Sequence, residues 1–180
     1  INKEKYSDVL EQLIPIRGET QDSVMLYNID YRILSSIMMG VNSGKIEQLL
    51  FLSENIIDRS ILNLARSYRS LLDGNMNDME LSLSVINADL LPLQYEKLFN
   101  WLNHFIGAEN NNHGVVAVIL PLSGKDKFKG RTFLRGLSGM AVDYQYDLST
   151  HFKIYDNKSN DITTLKILKS INLDRNIISI

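Results

Sequence analysis

Ser123 and Gly124 close an apolar run, Val115 to Leu120, through the turn Pro121-Leu122-Ser123-Gly124. Asp156 closes a second run that begins at His151. A hydroxyl beside a backbone N–H can hydrogen-bond a ligand carboxylate. Ligand crevices of open parallel α/β sheets form outside the carboxyl ends of the strands, which is where all three residues are expected. Ser123, Gly124 and Asp156 are therefore the candidate ligand-binding residues. Each also has a local role to weigh. The turn 121–124 can simply shape a strand-to-helix corner, and Asp156 with Asn157 can cap the turn that follows.

Other chemistries find less support. Gly44-Lys45 and Gly124-Lys125 suggest phosphate loops, but a Walker-type loop also needs Gly at position 39 or 119 and Ser or Thr after the Lys. Met39 and Ile119 stand there, and Ile46 and Asp126 follow. His104, His113 and His151 fall in a helix, a linker and a strand, with no spacing that pairs them as metal ligands. There is no cysteine, hence no disulfide and no thiolate metal site. Asp78, Glu80 and Glu109 look like solvated charges, and no general acid and base pair or Ser-His-Asp arrangement stands out. The expectation is a protein that is not an enzyme and carries no cofactor or metal.

Composition narrows the partners. Lys and Arg number 19 against 21 Asp and Glu, a net charge of −2, which gives no electrostatic reason to bind nucleic acid. Aromatic residues are not interleaved with basic ones in a stripe suited to stacking on bases. No apolar stretch reaches the ~20 residues that span a bilayer. The chain begins at Ile1 rather than Met and ends on the strand-like run Asn176 to Ile180. It is therefore expected to be a piece of a longer protein, with any export signal removed.

The elements that must position these residues divide in two. Residues 1–106 read as helices. Tyr6, Val9, Leu10 and Leu13 form one face of the first, which Pro15 and Gly18 are expected to end. The second runs from an Asp22 cap to Met39, with Met25, Leu26, Ile29, Ile33 and Ile37 on one side. The third covers about 45–57. The fourth carries Ile61, Leu64, Ala65, Tyr68 and Leu72 inward and stops at Asp73-Gly74-Asn75. A fifth spans about 78–87, and a sixth starts at Pro92 and carries Leu93, Leu98, Trp101, Leu102 and Phe105. Met25, Met38 and Met39 are expected to pack in the core. Short antiparallel helices with Asn/Gly turns describe a helical hairpin array. The stretch Ile61 to Leu91 resembles a tetratricopeptide repeat (TPR), although the small residue expected early in its second helix is missing.

Residues 107–113 are small, polar and aperiodic, and read as a linker. From Gly114 the pattern becomes strand, helix, strand, helix, strand: 115–120, 128–144, 151–155, a helix capped by Asp161, and 176–180. In the first of these helices Phe133, Leu137, Met140, Ala141 and Tyr144 are expected to form the inward stripe, with Gly136 and Gly139 allowing close approach to the sheet. In the second, Leu165, Leu168 and Ile171 are expected inside. The order predicts a parallel sheet with crossover helices. The expected fold class is thus α + α/β: a TPR-like array at 1–106, a linker at 107–113 and a partial, Rossmann-like parallel β-α-β-α-β lobe at 114–180.

The segment 114–180 resembles the opening of a type 1 periplasmic binding protein, of the Leu/Ile/Val-binding-protein-like superfamily. The likeness rests on the apolar strand with Pro121-Leu122-Ser123-Gly124, then Phe128 with Gly130, then Gly136, and on Asp156 at the end of the second strand. With a helical, TPR-like region before it, the whole resembles the outer-membrane lipoprotein activators of penicillin-binding proteins. That resemblance implies a periplasmic location, a lipid anchor outside this chain, and regulation of peptidoglycan synthesis through contact with a peptidoglycan synthase. The alternative is a substrate-binding protein of an amino-acid-type ABC transporter, whose turn at Ser123 and Gly124 would hold a small amino-acid-like ligand. A third expectation is a helical scaffold whose partner docks on the helices.

Overall fold

The computed structural model describes residues 3–106, 115–143, 151–174 and 176–180. The linker expected at 107–113, together with Gly114, His113 and Tyr144, lies outside the described residues. The chain divides into two compact units, Ile1–Leu71 with Met76–Phe99, and Leu72–Asn75 with Asn100–Ile180. Among the described residues it combines helices with a small three-stranded parallel sheet, which is an α + α/β composition.

The first unit is built from α1 (Lys3–Glu19), α2 (Ser23–Gly40), α3 (Ser43–Leu52), α4 (Ile56–Leu72) but for its last residue, α5 (Met76–Ser84) and most of α6 (Leu93–Asn103). Asp22 caps α2 by accepting from the Met25 N–H at 2.8 Å, as its position predicts. Asn42 caps α3 in the same way through the Gly44 N–H, so Gly44-Lys45 is a helix start and Lys45 pairs with Glu11 at 2.9 Å. All five residues expected inward on α4 are buried.

Several expectations fail here, among them Leu93, which is exposed on α6 and not turned inward. α1 does not end at Pro15 but continues to Glu19. Pro15 is exposed, so water can satisfy the carbonyl that loses its partner, while buried Ile14 and Arg17 hold the last turn inside. The helix expected at 45–57 is shorter, and Ser53 ends it by donating its N–H to the Leu49 carbonyl. Met25 and Met39 are half exposed and do not belong to the core. The inward side of α2 is set by Ile29, Ile33 and Ile37, and Met25 and Met39 lie off its centre.

The second unit contains β1 (Val115–Leu120), α7 (Lys127–Asp143), β2 (His151–Asp156), α8 (Asp161–Ile171) and β3 (Ile177–Ser179). The sheet order is β2-β1-β3, and both pairings are parallel. Register places Val115 opposite His151 and Leu120 opposite Asp156, so β1 and β2 end side by side. At the end of α6, Trp101 packs edge-on against Phe105, and Phe105 lies 6.3 Å from the Phe152 ring of β2. The Asn100–Asn103 end of α6 therefore goes with the sheet, and the division between the units falls at Phe99/Asn100, inside α6.

Both crossover helices turn a different face inward from the one their apolar residues suggest. In α7 the buried positions are Gly130, Leu134 and Ser138, while Phe133 and Met140 are about half exposed. A Cβ on Gly136 or Gly139 would meet nothing within 4 Å, so these glycines make no close approach. A Cβ on Gly130 would overlap the Pro121 carbonyl oxygen, and that contact fixes the rotation of the helix. In α8 the cap is Asn160 rather than Asp161, accepting from the Thr163 N–H at 3.0 Å. Ile171 is buried, but Leu165 and Leu168 are not.

Candidate functional site

The structure brings Ser123, Gly124 and Asp156 together. Parallel register sets Asp156 beside the end of β1, and the chain turns there through Pro121 to Gly124. Oδ1 of Asp156 accepts the N–H of Leu122 at 2.9 Å, of Ser123 at 3.1 Å and of Lys158 at 2.9 Å. Oδ2 accepts the Ser123 hydroxyl at 2.5 Å. One carboxylate thus ties the turn after β1 to the turn after β2.

Ser159 makes a second tie. Its hydroxyl donates to the Ser123 carbonyl at 2.9 Å and accepts the Asp126 N–H at 2.9 Å. The Asn157 N–H reaches the Leu120 carbonyl at 3.0 Å. Gly124 has φ +77, and a Cβ there would overlap the Lys158 carbonyl oxygen, so the two turns touch closely enough to require glycine. Lys158 and Ser159 have φ of 57 and 56, a left-handed conformation that costs a side chain roughly 1–2 kcal/mol. Their hydrogen bonds to Asp156, Asn157 and Ser123 hold them in it.

The electrostatics follow from this geometry. Partial burial pushes the Asp156 pKa up, but the Ser123 hydroxyl and the N–H groups of Lys158, Ser123 and Leu122 outweigh it. The carboxyl is held below the usual aspartate range. Asp156 is thus an anion whose two oxygens are occupied by the chain itself. The Ser123 hydroxyl is committed to it as donor. Ser159 is not among the residues that the strand ends single out. The run Asp156-Asn157-Lys158-Ser159-Asn160 does carry the Asx and Ser signal of a self-bonded turn.

A second polar cluster lies in the helical unit, and no sequence motif pointed to it. Arg17 of α1 donates from Nε to Asp30 Oδ1 of α2 at 2.7 Å and from Nη1 to Asp58 Oδ1 of α4 at 3.1 Å. The Tyr95 hydroxyl of α6 donates to the same Asp30 oxygen at 3.0 Å. All four residues are buried. Desolvation would lower the Arg17 pKa, but Asp30 and the groups around it raise it further. Desolvation also raises Asp58, against the pull of Arg17. Tyr95 is pushed well above its usual value by burial and by Asp30. Enclosed and mutually paired, the cluster ties four helices together.

Among the described residues, no group of three or more His, Asp or Glu is placed to hold a metal ion. Among those same residues, no helix is long and apolar enough to cross a membrane. His104 follows α6 and His151 opens β2. Comparison with family models, with curated proteins and with solved structures returned no match.

Proposed function

We propose that this chain is the helical region and part of the first lobe of a non-enzymatic periplasmic lipoprotein activator of a penicillin-binding protein. It regulates peptidoglycan synthesis through protein–protein contacts. The helices form the TPR-like scaffold, and the sheet is the start of a Rossmann-like binding-protein lobe. The anchor to the outer membrane lies outside this chain.

One observation carries most of the reading. The two parts of the motif behind the resemblance, Pro121 to Gly124 and Phe128 with Gly130, form a single contact. Gly130 lies so close to the Pro121 carbonyl that no side chain fits. The parallel order β2-β1-β3 also supports it. So does Asp156, whose oxygens are taken up by the chain and not left open to a solute. The test is affinity capture with the full-length protein, followed by a glycan-polymerisation assay. A peptidoglycan synthase is expected to be recovered and its rate raised. Capture without any synthase overturns the reading.

A second reading has one observation in its favour: Ser123 and Gly124 stand at strand ends, where solutes bind in open α/β sheets. The protein would then be the substrate-binding component of an amino-acid-type ABC transporter. Calorimetry of the full-length protein with amino acids separates the two. Submicromolar binding selects the transporter reading.

A further inference from the structure

The carboxyl ends of β1 and β2 already have a neighbour. The turn Leu72–Asn75 belongs to the second unit. A Cβ on Gly74 would stand 3.2 Å from Leu122 Cβ, 3.4 Å from Asp156 Cβ and 3.5 Å from Asp156 Oδ2. Gly74 also has φ +75, so a side chain there is opposed both by backbone conformation and by space. The backbone of this turn therefore lies against Asp156 and against Leu122, the residue before Ser123.

Arg131 of α7 holds the turn in place. Its Nε donates to the Leu72 carbonyl at 2.9 Å, and its Nη2 pairs with Asp73 Oδ1 at 2.6 Å. The Leu72 carbonyl ends α4, where the last carbonyls lack helical partners and the helix dipole favours a cation. A guanidinium suits the position because its planar fork can serve a carbonyl and a carboxylate together. The Arg131 side chain is 16% exposed, so little water competes for these bonds.

We propose that the turn Leu72–Asn75 is a built-in occupant of this strand-end edge, latched by Arg131, and that the edge is closed to small carboxylate ligands. A ligand carboxylate would have to displace the Gly74 backbone and approach the negative charge of Asp156. Leu122, beneath the turn, is fully buried.

Residue-resolved amide hydrogen exchange on the whole chain tests the latch. Arg131→Met keeps the aliphatic stem and removes both bonds. It is expected to speed exchange of the Ser123 and Lys158 amides, both held by Asp156, about tenfold or more, the scale of a lost charge-assisted hydrogen bond. Lys129→Met, on the same helix but paired with Asp126, is the control and leaves these amides unchanged. Wild-type rates in a folded Arg131→Met variant would overturn the proposal. Acetate, the smallest carboxylate probe, is expected to leave the wild-type Ser123 and Gly124 resonances in place. Saturable shifts at those amides would overturn it as well.

Discussion

Asp58 in the helical unit and Asp156 in the α/β unit are both drawn out of water, yet their protons respond in opposite directions. Asp58 shares one guanidinium with Asp30, so two buried carboxylates divide a single positive charge. Desolvation then prevails and its pKa rises. Asp156 faces three backbone N–H groups and a hydroxyl. Desolvation is outweighed there and its pKa falls. Neutral dipoles at fixed positions stabilise a carboxylate without needing a countercharge to be desolvated as well. A shared cation must be buried along with its partners, so its attraction is offset by its own lost hydration. The helical cluster is therefore a tie with a hidden electrostatic cost, and the strand-end hub is a tie without a cation.

The largest test of this contrast removes the shared cation. Arg17→Met leaves Asp30 and Asp58 buried without a countercharge and is expected to cost about 3–5 kcal/mol in urea unfolding followed by far-UV dichroism. Replacing both aspartates by Leu in the same background should recover most of the loss. A cost below about 1 kcal/mol for Arg17→Met alone would mean that water reaches the cluster, and the contrast would fail.

Next in size is Asp156→Asn, which removes the negative charge that the three N–H groups share and sets an amide NH2 against the Ser123 hydroxyl, which must turn from donor to acceptor. The expected loss is about 1.5–3 kcal/mol, read from the fluorescence of Trp101, the single tryptophan, during denaturation. An unchanged midpoint would show that the two turns hold together without the carboxylate.

A pH series sharpens the comparison by sign. The folded chain keeps the Asp58 proton to higher pH than the unfolded chain does. Its share of stability is therefore present at low pH and falls as pH rises from the ordinary aspartate value through the raised one. Asp156 contributes fully above the ordinary aspartate value and loses its contribution as pH falls through the lowered one. In melting curves from pH 3 to 7 (range chosen about the ordinary aspartate pKa of roughly 3.9), Asp58→Asn should lose the decline on the alkaline side. Asp156→Asn should lose the decline on the acid side. Identical profiles for the two variants would contradict the assignment.

The smallest expected effect is at Lys158. Its side chain is exposed and its φ is 57, so Lys158→Gly removes strain without removing the N–H that Asp156 accepts. A gain of about 0.5–1 kcal/mol is expected from thermal melting, the relieved strain of roughly 1–2 kcal/mol less the backbone entropy that glycine loses on folding. A loss would show that the lysine side chain itself contributes at the corner.

Much of the architecture was legible because it depends on local periodicity. The apolar run Val115 to Leu120 is a strand, and its parallel pairing with β2 follows from the intervening helix. The Asp22 cap and the Gly74 stop are equally local, since each depends on a few neighbouring residues. Of the candidate site, the place of Ser123, Gly124 and Asp156 at strand ends was legible from where the apolar runs stop. Their mutual bonding was not. It depends on register, which pairs Leu120 with Asp156 across 36 residues of chain.

Helix faces mark the boundary of what patterning can decide. In α7, Phe133, Leu137 and Met140 form a stripe as regular as the one that is buried, and the stripe alone cannot choose a side. Contact between Gly130 and the Pro121 carbonyl chooses it and leaves Phe133 and Met140 about half exposed. The cluster at Arg17 is the same lesson in charge. Nothing in the spacing of residues 17, 30, 58 and 95 distinguishes them from solvated polar residues, and only the meeting of four helices makes them partners.

By itself, then, the sequence determined the kinds and order of elements, the caps and the turns, because these depend on backbone preferences acting over a few residues. Tertiary structure alone decided which faces are buried, which carboxylate gains a cation and which gains dipoles, and that the strand ends meet the chain's own turn at Gly74. Those outcomes depend on distances between residues far apart in the chain, which no local pattern encodes.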